Sequence, residues 1–416
     1  MTFPRARRAR GFTLIELMVG AVISIITLGA IAASFAAVQG TYQAEVRIKS
    51  SVEGARSALG YLEHMVTLAG YGIDPRYAIS TTTPTGGLKN NETLVAFAAG
   101  PPVIPQVATD DLLFRYRDLT FMLRGRANAT TVTLDPTYNT QVGVPLRAGQ
   151  LLQLSCPGAS QYVGIRVASN VAATSNTIPL GSGATNFAYF SKDATPLTPS
   201  ACLTNNTDLL YVTLVHEERV RIKMLGTAPN RRPYLVVFHN ANDDVGTGTN
   251  YDPIAADVES FQVTYMMNRP PVGFPAPVPT APDPGNTNWI FGDFPADGLP
   301  VTPANTANGT LPGYDTAYMD PLRFNNQSAN VRAVRVTVVV RSNGTDPRRR
   351  TAFPPEPIED FVPTSVAADG YYRTRATSII RIPNMMTRSA FTPPLKDPSQ
   401  IACPAVGCVD LNVGGG

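Results

Sequence analysis

Four arginines, Arg5, Arg7, Arg8 and Arg10, stand before a run that dominates every fold open to this chain. From Leu17 to Val38 no residue is charged. A helix needs about 20 apolar residues to cross a bilayer, and this run is long enough. Because the arginines lie before it, the N-terminus is expected in the cytoplasm and the bulk of the chain across the membrane. Glu16 sits at the mouth of the run, where a lone carboxylate costs roughly 2.5 to 3.5 kcal/mol on insertion scales. No basic residue follows before Arg47. Its partner must therefore be a backbone terminus or another chain.

The stretch GFTLIELMVG, Gly11 to Gly20, resembles the class III signal of type IV pilins and type II secretion pseudopilins. It has the basic leader, a glycine before the scissile bond, an aromatic first mature residue and a glutamate at the fifth mature position. The resemblance implies removal of a leader, residues 1–11, by a prepilin peptidase cutting between Gly11 and Phe12. It also implies N-methylation of Phe12, and contact of Glu16 with the Phe12 amine of a neighbouring subunit. The chemistry is coherent: glycine lets the backbone lie extended in a protease cleft, and a new ammonium in low dielectric offsets a buried carboxylate. Two plainer readings compete. An ordinary signal peptide has an apolar core of about 7 to 15 residues before a small-residue cut, and Ala30 to Ala37 offers one, but Glu16 at the front of the core argues against it. The other is a simple anchor with an incidental acid.

Beyond the anchor the remainder of the 416 residues suffices for one large or two modest globular units. A net charge of +3 with 16% charged residues, evenly spread, does not suit nucleic acid. With 37 prolines, 33 glycines and many Thr, Asn, Val and Tyr, the composition is that of a loop-rich β protein. All four cysteines follow the apolar run, which suits an oxidising periplasm or cell surface.

From Glu45 to Ala69 there is no proline, and Val52, Ala55, Leu59, Leu62 and Val66 recur at steps of three and four, marking one face of an amphipathic helix. Arg47, Lys49, Glu53, Arg56 and Glu63 occupy the other. Gly70 and Gly72, with Pro75 beyond, stop it. Residues 12–70 thus predict one near-continuous helix on the order of 85 Å long, with about 12–38 in the membrane. After Gly72 the period changes to two. Candidate strands are Thr93 to Ala98, Asp111 to Tyr116, Thr130 to Asp135, Gln150 to Ser155, Tyr162 to Ala168, Leu209 to Val215, Arg219 to Leu225 and Tyr234 to Phe238. The expected fold is α+β: a long N-terminal helix, transmembrane and then amphipathic, packed on a large, mainly antiparallel β head spanning 71–416.

Three later segments, DVESFQVTYMMN (Asp257 to Asn268), NVRAVRVTVVVRS (Asn330 to Ser342) and YYRTRATSIIRIPN (Tyr371 to Asn384), resemble in this order the PilW family of minor pilins. The pattern is shared in part with J-type pseudopilins. A departure is Ile382-Pro383-Asn384, where the family more often shows Leu-Arg-Asn. In the second segment Val334, Val336, Val338 and Val340 face one way, and Arg335, Thr337, Val339 and Arg341 the other, predicting a core strand with one wet or semi-wet face. Residues 270–312 read as a Pro/Gly-rich surface loop around Trp289, Phe291 and Phe294. That aromatic group is either a partner-contacting patch or a loop folded back on its sheet.

Cys156 with Cys202 and Cys403 with Cys408 are the candidate disulfides, although four cysteines permit three connectivities. Asp243, Asp244, Asn250 and Asp252 offer oxygen ligands of the kind calcium prefers; the spacing is not that of an EF-hand, and such residues also favour solvated turns. No other cofactor is called for. His64, His216 and His239 are scattered, and no phosphate loop, HExxH or GxSxG motif occurs, so no enzyme is expected. The resemblance implies a minor pilin that primes pilus assembly from the inner membrane and sits at the pilus tip at the cell surface. Its partners would be other minor pilins, the major pilin and a PilY-type tip adhesin. The alternatives are a tip pseudopilin of a type II secretion system and a surface adhesin on a pilin stem.

Overall fold

The computed structural model describes residues 13–73, 78–79, 93–95, 107–128, 130–155, 162–181, 208–227, 231–240, 243, 250–267, 290–291, 331–346 and 370–386. Helix α1 (Leu14–Val66) is 53 residues long. It is capped at Thr13, whose hydroxyl accepts from the Glu16 N–H while the Glu16 carboxylate accepts from the Thr13 N–H. A turn carries the chain to Gly70 at φ +79, where a Cβ would also lie 2.8 Å from Met385 Sδ. Only glycine meets both demands. The predicted helix is thus present, its last few residues forming this turn.

The chain then lays residues 70–79 along β3 (Leu112–Ala127): Gly70 donates to Arg115 O, Arg115 to Ala78 O, and Arg117 to Tyr71 O. Most of the described strands form two antiparallel sheets. The larger, of eight strands, runs β10 (Tyr251–Ala256), β9 (Arg232–Phe238), β8 (Leu210–Leu225), β3, β4 (Thr131–Leu134) and β7 (Thr177–Pro179). Off this path β5 (Leu151–Ser155) pairs with β8 and with β6 (Tyr162–Arg166). The smaller sheet has the order β12 (Ile290–Phe291), β11 (Val258–Met267), β13 (Val331–Arg341) and β14 (Arg373–Arg381), followed by a short helix α2 (Pro383–Met386). A hairpin of β1 (Thr93–Val95) and β2 (Val107–Thr109) is separate.

Two cores result. In the first, Ala55, Ala58, Leu59, Leu62 and Val66 of α1 are buried against Leu112, Phe114, Val220, Ile222, Leu235 and Val237 of the large sheet and Phe261, Val263, Val336, Val338 and Ile380 of the small one. The second contains no residue of α1 and joins Phe121, Leu123, Val132, Leu152, Leu154, Ile178, Leu210 and Val212. Strands β3 and β8 are long enough to serve both. Their pairing slips between Arg117 opposite Val215 and Met122 opposite Thr213, so β3 carries three more residues than β8 across the gap. An odd insertion switches which residues face inward. Leu112 and Phe114 point to the first core, Leu123 to the second, while β8 keeps Leu210, Val212, Val220 and Ile222 inward throughout.

Two expectations are corrected. Residues 209–225 are not two strands broken at His216-Glu217-Glu218 but one, because each charge finds a partner inside the head. The second face of β13 is mostly dry: Arg335 is half-buried, but Thr337, Val339 and Arg341 are buried, and Thr337 Oγ1 lies 2.9 Å from Thr377 Oγ1 of β14.

Candidate functional site: the assembly helix and its collar

The first half of α1 buries nothing. Leu14, Leu17, Val22, Ile26, Ile31 and Phe35 are all exposed, and the most apolar window of the helix is 0% buried. Three of its polar side chains are bonded to backbone carbonyls of the helix itself. Thr27 Oγ1 donates to Ile23 O at 2.8 Å, Ser34 Oγ to Ala30 O at 2.9 Å and Thr41 Oγ1 to Ala37 O at 3.2 Å. Bonded in this way, they do not oppose immersion in lipid or packing among apolar helices. Glu16 Oε2 accepts from both the backbone N–H and the hydroxyl of Thr13, each at 3.0 Å. The partner expected of a backbone terminus is thus the start of its own helix. These bonds satisfy oxygen lone pairs and leave the formal negative charge in place, available to a cation from elsewhere.

Where α1 enters the head, the three late motifs meet. Glu259, 1% exposed, accepts from Arg341 Nη1 at 3.3 Å and from Arg373 Nε at 2.6 Å. Asp257 accepts from Arg341 Nε at 3.5 Å and is paired with Arg232. The Arg341 guanidinium stacks on Tyr371 at 4.6 Å. The Ser342 N–H donates to Tyr372 O, and the Tyr372 N–H to Ser342 Oγ. Asp257 is the one described non-glycine residue with positive φ, at 61°, a cost held in place by its two arginines. Beside this cluster Ser51 Oγ of α1 lies 2.7 Å from Thr374 Oγ1. A Cβ on Gly54 would stand 3.2 Å from Val340 Cγ1. The acidic strand entry, the Val-Arg-Ser ending and the Tyr-Arg opening are therefore parts of one ion cluster, the collar, beside the helix.

The other end of the helix is held by Asn384. Its Nδ2 reaches Thr67 O at 3.1 Å, Ala69 O at 3.3 Å and Leu68 O at 3.4 Å, carbonyls of the turn that follows the helix, of which Leu68 O also accepts from the Tyr71 N–H. Ile382, which precedes Pro383 in the departure from the family pattern, is fully buried in the first core.

Sequence reasoning missed the buried charges between these ends. Glu217 is clamped by Arg115 Nε at 2.6 Å and Arg166 Nη2 at 3.1 Å, linking β3, β8 and β6. Burial opposes its ionisation, but the two guanidiniums prevail and hold its carboxyl below the usual range. On the opposite face of β8, His239 donates Nδ1 to Glu218 at 2.7 Å and Nε2 to Asp252 at 2.8 Å. The hydrogen bond to Glu218, only partly opposed by burial, raises its pKa to about 9. Tyr116 bonds Glu218 at 3.4 Å, and burial and that carboxylate push its hydroxyl well up. Asp118 accepts from His216 at 3.0 Å; burial raises its pKa, yet bonds from Thr120, His216 and Phe121 hold it at about 2. Two of the three scattered histidines, His216 and His239, are linked through Tyr116 and Glu218, while His64 stays exposed on α1. A usable signal was present: carboxylates inside otherwise apolar alternating strands demand cations from neighbouring strands.

Of the remaining predicted residues, Gly11, Phe12, Cys156, Cys202, Cys403, Cys408, Asp244, Trp289 and Phe294 lie outside the described residues. Phe291 belongs to β12, opposite Tyr265. Asp243 accepts from Asn250 Nδ2 at 2.6 Å while Asp252 turns to His239, so the described oxygen ligands do not converge. No group of three His, Cys, Asp or Glu suited to a metal occurs among the described residues.

An apolar helical stalk with a capped acid at its start, carrying a β head on its second half, defines a protein of the type IV pilin class. Residues 6–32 match the prokaryotic N-terminal methylation motif, and residues 224–384 match the family described as type IV pilus-assembly protein W. The second stretch contains β9 to β14 and the first two residues of α2, hence the whole collar. The two matches support a minor pilin of the PilW family, and the methylation motif with the apolar half of α1 points to membrane anchoring. No curated protein and no solved structure matches it.

Proposed function

We propose that this minor pilin works without catalysis, priming type IV pilus assembly at the inner membrane and remaining at the filament tip. A prepilin peptidase cuts between Gly11 and Phe12, and Phe12 is then methylated. The Phe12 ammonium of a neighbouring subunit meets Glu16, cancelling the charge that Thr13 leaves in place. Bare apolar helices associate with those of other minor pilins and the major pilin. The observation that carries this reading is the asymmetry of α1, bare over its first half and bearing a two-core head on its second. So bulky a head would clash if repeated at each step of a helical filament, which favours a terminal position. There, with other minor pilins, it presents a PilY-type adhesin.

Complementing a deletion strain with Glu16→Ala tests the first part, with surface piliation as readout; the expected result is loss of pili with the protein still in the membrane. Immunogold labelling of sheared pili tests the second. Label at filament ends is expected, and regular label along the shaft at the abundance of the major subunit would refute the terminal position.

A further inference from the structure

The second core and the outer face of its sheet lie outside both stretches matched by family descriptions. On that face Arg124 of β3 stands directly opposite Tyr211 of β8, with its guanidinium 5.1 Å from the Tyr211 ring centre. The guanidinium also lies over the Tyr138 ring, 4.4 Å from its centre. This arrangement is built by backbone bonds. The Asp135 N–H donates to Arg124 O, and the Arg124 N–H to Asn139 Oδ1. Asp135 O accepts from the N–H groups of Tyr138 and Asn139, and Asp135 Oδ1 from the Thr137 N–H. Tyr138 is nonetheless 52% exposed. Arg126 follows two residues along the same face, opposite Thr133, which is opposite Thr177; all three are exposed.

We propose that this surface, Tyr138, Arg124 and Tyr211 continued by Arg126, Thr133 and Thr177, binds an acidic polysaccharide. The chemistry of each part fits one occupant. A preorganised, half-exposed tyrosine ring offers an apolar face to the C–H side of a pyranose at little entropic cost. Guanidiniums pair with sugar carboxylates in a planar, two-pronged manner. The two exposed threonine hydroxyls on paired strands, Thr133 and Thr177, match hydroxyls of a sugar chain laid across them. Contacts with the two rings hold the Arg124 guanidinium in place for a carboxylate. The one carboxylate built into the patch, Asp135, is held by Thr137 and Arg126, so the face stays cationic. This surface does not depend on the tip position proposed above.

The test uses the full chain in detergent micelles, titrated with oligogalacturonate, with neutral dextran and poly-glutamate as comparisons. Saturable binding to oligogalacturonate and none to dextran is expected. Arg124→Gln and Tyr138→Ala should each weaken it by about tenfold, the size of a lost stacking or cation contact, while Tyr138→Phe keeps most of it. Thermal melting and near-ultraviolet circular dichroism verify that each variant is folded. Absence of binding, or binding unchanged by Tyr138→Ala, overturns the proposal. Equal affinity for poly-glutamate also overturns it, assigning the patch to acidic protein segments instead.

Discussion

The two halves of α1 share one backbone and face opposite problems. Between Leu14 and Val38 large apolar side chains are exposed in all directions, with none of the described residues covering them. Between Ser51 and Val66 a single stripe is apolar, and it is buried against two sheets. The same secondary structure is thus an unfinished interface in one half and a finished core in the other. Folding of the head completes the second half; only a membrane or other helices can complete the first.

The sharpest way to break the comparison is at the collar. Glu259→Ala leaves Arg341 and Arg373 without their shared carboxylate in a buried setting, which costs about 3 to 5 kcal/mol. Chemical denaturation of the head should register this, and an unchanged midpoint would show that the collar is not needed to hold the helix. Next, Leu62→Ala, at a site 0% exposed, should cost about 2 to 5 kcal/mol. Ile26→Ala, at a site 66% exposed, should stay within about 0.5 kcal/mol. Equal effects of these two on head unfolding would erase the distinction between the halves. Asn384→Ala removes a donor to three carbonyls of the turn that follows α1 and is expected to cost about 1 kcal/mol, with faster amide exchange in the last turn of α1 as the local signature.

The smallest effect is the pH dependence at His239, which joins the head to the strand beside the helix. Its folded pKa of about 9 lies above its ordinary value of 6.5, so the folded state keeps a proton that the unfolded chain releases. The stabilisation is complete below the unfolded pKa and is lost as pH rises towards and through about 9. Melting temperature should fall across that window in the parent and fall less in His239→Gln. The ring is partly exposed, so solvent screening keeps the effect small.

Much of this division was legible before any coordinates. The uncharged run, Glu16 and the one-sided stripe at Ala55, Leu59, Leu62 and Val66 led directly to the stalk, and alternating strands to a β head. Charges inside strands were not legible. His216, Glu217 and Glu218 read as a polar break because their partners, Arg115, Arg166, Asp118 and His239, lie far off in sequence. Arg335 to Arg341 read as a wet face for a similar reason: alternation reveals two faces and does not say how many are covered.

What the chain order alone determined is local. Helix periodicity, the stop at Gly70 and the two-residue rhythm of the strands depend on neighbours within a few positions, which the sequence displays. What the tertiary structure decided is which distant residues become neighbours. It folded three separated motifs into one collar, divided β3 and β8 between two cores through an odd insertion, and set Arg124 over Tyr138. The physical reason is that burial makes an unpaired charge so costly that strand register must supply its counterion, and register is a property of the assembled sheet.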